Sequence, residues 1–89
     1  MIIKKVTIIN KLGLHARAAA KFVATASKFT SELNVTKNNQ SVNGKSIMGV
    51  MMLAASKGTE LELSAEGDDA QELINAIEAL INNLFDEKE

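Results

Sequence analysis

The chain has no cysteine, no tryptophan, no tyrosine and a single histidine among its 89 residues. Without cysteine there is no disulfide framework, no thiolate nucleophile and no cysteine metal site. One histidine without clustered carboxylates argues against a zinc site, so no metal is expected. The aromatic content is three Phe. RNA-binding sheets usually expose stacking aromatics, whereas Phe22, Phe29 and Phe85 fall in or beside apolar helix faces. A formal net charge of −1 gives no general excess of Lys and Arg for a phosphate backbone, so no nucleic-acid partner is expected. Long hydrophobic runs are missing too. The opening MIIKKVTII is short and interrupted by lysine, and lacks the order of a signal peptide. No membrane partner is expected, and a cytoplasmic, monomeric protein is.

At this length one domain with one modest core is possible, and hydrophobic residues at 46% scattered among charges are an ordinary globular composition. Val6 and Ile8 alternate with Lys5 and Thr7, as in a strand wet on one face. After a turn at Asn10 to Gly13, Ala19, Phe22, Val23 and Ala26 recur at helical spacing from Ala16 to about Lys28, with Arg17, Lys21 and Lys28 on another face. Leu33 and Val35 alternate with Glu32, Asn34 and Thr36, and Asn38-Asn39 suits a two-residue hairpin into a short strand from Gln40 to Asn43. Ser46 is placed to cap a short helix over Ile47 to Leu53. The segment Glu60 to Glu66 alternates strictly. A last helix is expected from Asp69, paired with Glu72 in a capping-box-like spacing, with apolar residues from Ala70 to Leu84 on one face. The acidic tail Asp86 to Glu89 reads as a frayed, solvated end.

The predicted order is β-α-β-β-α-β-α. Such elements close a core if three helices cover one face of a four-stranded, mainly antiparallel sheet and leave the other face in water. The fold class is therefore α/β (α+β), an open-faced sandwich spanning residues 1–89 as one domain.

His15 falls at the N-cap or first position of the first helix. Unpaired backbone N–H groups and the helix dipole favour an anion there and disfavour an imidazolium. Arg17, in the same turn, offers a planar fork of donors fitted to phosphate oxygens. A phosphoryl group on the ring would face Arg17 and the amides around Ala16 and Ala18. The same spacing also fits a capping histidine beside a solvated arginine, and spacing alone does not separate the two. Gly44-Lys45-Ser46 looks like the end of a nucleotide-binding P-loop, but position 39, where that loop needs glycine, is Asn; ATP binding is not expected, nor any other cofactor.

The run Gly13-Leu14-His15-Ala16-Arg17, followed by Ala19-Ala20 and Phe22-Val23, resembles the active-site signature of the histidine-containing phosphocarrier (HPr) family of the bacterial phosphotransferase system. Lys45-Ser46-Ile47-Met48-Gly49-Val50-Met51 resembles that family's second-helix segment with its regulatory serine, and the likeness covers nearly the whole chain. The resemblance implies that His15 accepts a phosphoryl group from enzyme I, charged by phosphoenolpyruvate, and passes it to a histidine of a sugar-specific enzyme IIA. It also implies phosphorylation of Ser46 by a separate serine kinase/phosphorylase. Docking would use Ile47, Met48 and Met51 beside the basic residues Arg17, Lys21, Lys28 and Lys45. One departure is Ala18, where the family usually has proline; the first turn is then less preset. Related nitrogen-regulatory phosphocarriers share the histidine and are the alternative, as is a regulatory binding module acting mainly through Ser46.

Overall fold

The structure is a computed structural model and describes residues 1–88. The sheet orders β1 (Ile2–Thr7), β4 (Glu60–Glu66), β2 (Glu32–Lys37) and β3 (Gln40–Asn43) side by side as β1-β4-β2-β3. All three pairings are antiparallel. Three helices, α1 (Ala16–Ala26), α2 (Ile47–Met52) and α3 (Ala70–Asn82), supply the second layer. This is the open-faced sandwich expected from the sequence.

The period of two in β4 decides which face is covered. Leu61, Leu63 and Ala65 point inward and are matched across β1 by Val6, Lys4 and Ile2, and across β2 by Val35 and Leu33. Onto this surface α1 places Ala18, Ala19, Phe22 and Ala26, and α3 places Leu73, Ile74, Ile77 and Ile81, all buried. Each fully buried Phe, Leu or Ile among them stabilises by roughly 1.5–3 kcal/mol relative to exposure. Lys4, at an inward register position on the edge strand, reaches out to Glu78 on α3 at 3.5 Å. The hairpin between β2 and β3 pairs Lys37 with Gln40, and Asn38 takes φ 56° as its tolerance of the left-handed region allows. No helix of the described residues is long and apolar enough to cross a membrane.

Three expectations need correction. Asp69 stands at the N-cap of α3 but caps nothing with its side chain. Its carboxylate accepts hydrogen bonds from the backbone N–H of Thr30 (2.9 Å) and of Ser31 (2.8 Å), and from the Ser31 hydroxyl. It ties the loop after α1 to the start of α3 instead. Secondly, α3 stops at Asn82. Leu84, which fits the apolar stripe by spacing, has φ 58°, and Phe85 and Asp86 follow at 54° and 63°. Thirdly, the acidic tail is only partly solvated: Asp86 and Lys88 are exposed, but Glu87 is tucked against His15. This left-handed turn drives Phe85 into the core, fully buried, and carries the chain back over the start of α1. Glu89 lies outside the described residues.

Candidate functional site

The approach to α1 is built by a turn that closes on itself. The N–H of Gly13 donates to the carbonyl of Asn10 at 3.2 Å, and the Asn10 side-chain amide donates to the carbonyl of Gly13 at 2.9 Å. Gly13 has φ +67°, and a Cβ there would lie 2.4 Å from the carbonyl oxygen of Ala55. Only glycine fits, because the conformation and the space both reject a side chain. The next N–H, of Leu14, donates to that same carbonyl at 2.8 Å. The chain is thus pinned against the segment that follows α2 immediately before it reaches His15.

His15 is the N-cap residue of α1, with extended ψ of 178°. Its carbonyl accepts the first intrahelical hydrogen bond, from Ala19 at 2.8 Å, so the N–H groups of Ala16, Arg17 and Ala18 precede the helical ladder. The imidazole makes no capping hydrogen bond. Its Nε2 instead meets a carboxylate oxygen of Glu87, from the packed C-terminal segment. The other carboxylate oxygen of Glu87 accepts from the Asn10 amide at 3.0 Å. Burial pushes the Glu87 carboxyl up, but the Asn10 and His15 hydrogen bonds and the charges of His15 and Arg17 outweigh it and hold it below its ordinary value. Ionised, that carboxylate can only accept, so Nε2 carries the hydrogen. Nδ1 faces no hydrogen-bond partner among the described residues.

Arg17 is exposed on the first turn. With Lys11, Leu12, Lys21, Asp86, Glu87 and Lys88 it lines a groove of about 510 Å³. Lys21 helps to hold the groove's far wall, since its ammonium donates to the Phe85 carbonyl at 2.9 Å and lies 3.8 Å from Asp86. Ala18 is buried entirely, backbone included, whereas Ala16 and Arg17 are exposed, so an anion would meet the first two residues of the turn rather than the third. The other basic residues expected around the histidine are elsewhere. Lys45 donates to the carbonyl of Phe29 at 2.7 Å, beyond the C-terminal end of α1, and Lys28 is exposed at that same end. At 1.5 Å per residue that end is roughly 15–20 Å from His15.

Ser46 caps α2 as its position suggests: its hydroxyl oxygen accepts from the N–H of Gly49 at 3.1 Å. Because Lys45 touches the end of α1 while Ala55 touches its beginning, α2 runs back along α1, with Ser46 and His15 at opposite ends of the pair. Between them Ile47 (44%), Met48 (75%) and Met51 (41%) are exposed, joined by Met52 and Leu12, each 66% exposed. Helical spacing also allowed these methionines to be core; on α2 only Val50 is buried.

The sequence reading did not single out four of these participants. Asn10 and Leu12 were legible only as part of a turn, and Met52 only as part of the short helix after Ser46. Nothing local marks Glu87, whose partner is 72 positions away.

Comparison with known proteins points to one family. A family model described as the PTS HPr component phosphorylation site matches residues 2–83. The phosphocarrier protein HPr of Neisseria meningitidis is 58% identical over 89 residues, covering all of both chains. That of Pseudomonas aeruginosa is 59% identical over 86 residues, 96% of each. The crystal structure of HPr-C-His from Thermoanaerobacter tengcongensis superimposes with a TM-score of 0.96 at 53% identity, covering all of both chains. The chain therefore belongs to the HPr phosphocarrier family of the phosphotransferase system, whose members carry phosphoryl groups rather than turn over a substrate.

Proposed function

We propose that this chain takes a phosphoryl group onto His15 from the phosphohistidine of enzyme I, itself charged by phosphoenolpyruvate, and hands it to a histidine of an enzyme IIA in sugar uptake. The observation that carries this reading is the imidazole at the start of α1, which caps nothing and, among the described residues, is engaged through Nε2 alone. A neutral ring with its hydrogen on Nε2 offers the Nδ1 lone pair as nucleophile. The incoming phosphoryl oxygens would be met by the Arg17 guanidinium and by the N–H groups of the exposed residues Ala16 and Arg17, the anion seat that a helix N-terminus supplies. Departure is equally accessible, because the N–P bond of a phosphohistidine is labile.

Docking is assigned to the exposed face of Ile47, Met48 and Met51, extended by Leu12 and Met52. Flexible thioethers let one surface accept several partners. Among the cations, Arg17 and Lys21 flank the histidine, whereas Lys28 and Lys45 lie at the other end of α1 and would serve the rim near Ser46. Phosphorylation of Ser46 by a serine kinase/phosphorylase would place a dianion at the start of α2, where the helix tolerates it and an acidic partner does not. In this reading it acts as a monomer in the cytoplasm.

The test is to incubate the protein with phosphoenolpyruvate, magnesium and enzyme I and to read its intact mass. One acid-labile phosphoryl group, absent in His15→Ala, is the expected result. Folded protein that gains none from a sugar-branch enzyme I, but does from a nitrogen-branch one, would move it to the nitrogen branch. A gain from neither would leave regulation through Ser46.

A further inference from the structure

The C-terminal segment reaches the histidine by a costly route. Leu84, Phe85 and Asp86 all have φ between 54° and 63°, a conformation that is unfavourable for residues with a side chain. Such a turn persists only where the surroundings hold it. Here Phe85 is fully buried and its carbonyl is held by Lys21 at 2.9 Å. The anchored turn delivers Glu87, with only 13% of its side chain exposed, to Nε2 of His15. The carboxylate is itself oriented by Asn10, a fully buried residue whose amide bridges Gly13 and Glu87. The direction of that amide is fixed by its partners: turned over, its oxygen would face the Gly13 carbonyl and a carboxylate.

We infer that Glu87 is a positioning residue for His15, completing an Asn10–Glu87–His15 relay in which the carboxylate holds the imidazole in one tautomer and one orientation. The inference rests on the phosphocarrier reading and concerns the step that reading assigns to the ring. As the Nδ1 lone pair forms a bond to phosphorus, the N–P bond of the donor phosphohistidine breaks and its electron pair returns to the donor ring. No proton leaves His15. The ring keeps its Nε2–H and acquires positive charge, which develops directly against the Glu87 carboxylate. Fixed opposite charge at the point where charge appears lowers the barrier without reorganisation, and a carboxylate on the far nitrogen fixes the tautomer. The free edge of the ring stays open to the partner, since Glu87 occupies only the Nε2 side.

The test compares Glu87→Gln and Glu87→Ala with the wild type in two readouts: phosphoryl acceptance from phospho-enzyme I, and the 15N spectrum of the His15 ring at a pH where it is neutral. Outer partners of this kind are worth on the order of 10–100-fold. The expected result is a kcat loss of about that size for Glu87→Ala, a smaller loss for Glu87→Gln, which keeps an acceptor without the charge, and KM within about twofold. The ring spectrum should move from the Nε2–H form towards a mixture. A chain ending at Asp86 should reproduce the Glu87→Ala kinetics if substitution at 87 disturbs folding. Unchanged kcat with an unchanged ring spectrum overturns the inference, and so does faster acceptance, which would make the segment an obstruction. Failure of the wild type to accept phosphate overturns the phosphocarrier reading instead.

Discussion

Gly13 and Ala55 stand so close that a single added carbon on Gly13 would lie 2.4 Å from the Ala55 carbonyl oxygen. This contact fastens the residue two before His15 to the chain leaving α2. Gly13→Ala must both adopt φ +67° and push that carbonyl away, and each demand costs of order 1–3 kcal/mol. We expect a loss of at least about 2 kcal/mol in urea unfolding. Phosphoryl acceptance should fall even in the fraction that stays folded, because the approach to His15 shifts.

Asp69 sets a pH dependence of known sign. Hydrogen bonds from the Ser31 hydroxyl and the Thr30 N–H, with smaller help from the Ser31 N–H, outweigh burial and lower its pKa from 3.8 to about 2. A carboxyl whose pKa is lower folded than unfolded stabilises at pH above the unfolded value, and that contribution disappears as the pH falls through the folded one. Urea midpoints should therefore decline between about pH 4 and pH 2. The decline should be shallower in Asp69→Asn, which is already weakened at neutral pH. Equal slopes in the two proteins would assign the acid sensitivity elsewhere.

Ser46 separates capping from charge. Ser46→Ala removes the acceptor for the Gly49 N–H and should cost about 0.5–2 kcal/mol. Ser46→Asp keeps an acceptor and adds a charge favoured at a helix start, so its thermal midpoint should match or exceed that of the alanine variant. If it nevertheless docks enzyme IIA more weakly than Ser46→Ala does, the effect on docking is electrostatic rather than structural. Calorimetric binding of both variants decides this.

Met48 and Leu12 are apolar and exposed at 75% and 66%. Replacement of either by Glu should leave the unfolding free energy within about 0.5 kcal/mol. It should raise KM for phospho-enzyme I by roughly 5–30-fold if the residue is an energetic centre of docking, a loss of about 1–2 kcal/mol. A stability loss without a KM change would make these positions part of the fold.

Arg17 and Lys21 should make the encounter sensitive to salt. Raising ionic strength from about 0.01 to 0.15 M shortens the screening length from roughly 30 to 8 Å. The wild-type kcat/KM should fall, and the slope should flatten in Arg17→Ala. Stopped-flow transfer at several salt concentrations measures both.

The parts of the fold legible beforehand are those written in local pattern. Strict alternation over Glu60 to Glu66 gave β4 to the residue, and Asn38 marked a hairpin through its own tolerance of positive φ. Ser46 announced a cap through its chemistry. Within the site, His15 and Arg17 were legible because one short run places both at a helix start. What escaped depends on distant neighbours. Asp69 has capping spacing, but Thr30 and Ser31, some 38 residues earlier, capture its carboxylate. Leu84 continues the apolar stripe of α3, yet the chain turns left-handed there without a glycine to signal it, because burying Phe85 decides the outcome. Lys45 looked like a docking cation and is partly spent on the Phe29 carbonyl.

The sheet order has a consequence for how the protein is made. β1 precedes every other described element, and its only strand partner among the described residues is β4, at residues 60–66. A nascent chain must therefore leave this strand unpaired until residues 60–66 have emerged. Glu87 lies farther along the chain still, so the histidine's surroundings are completed after the sheet has its strands. Such remote closure favours slow, late assembly over stepwise growth, and makes β1 the segment most in need of shelter.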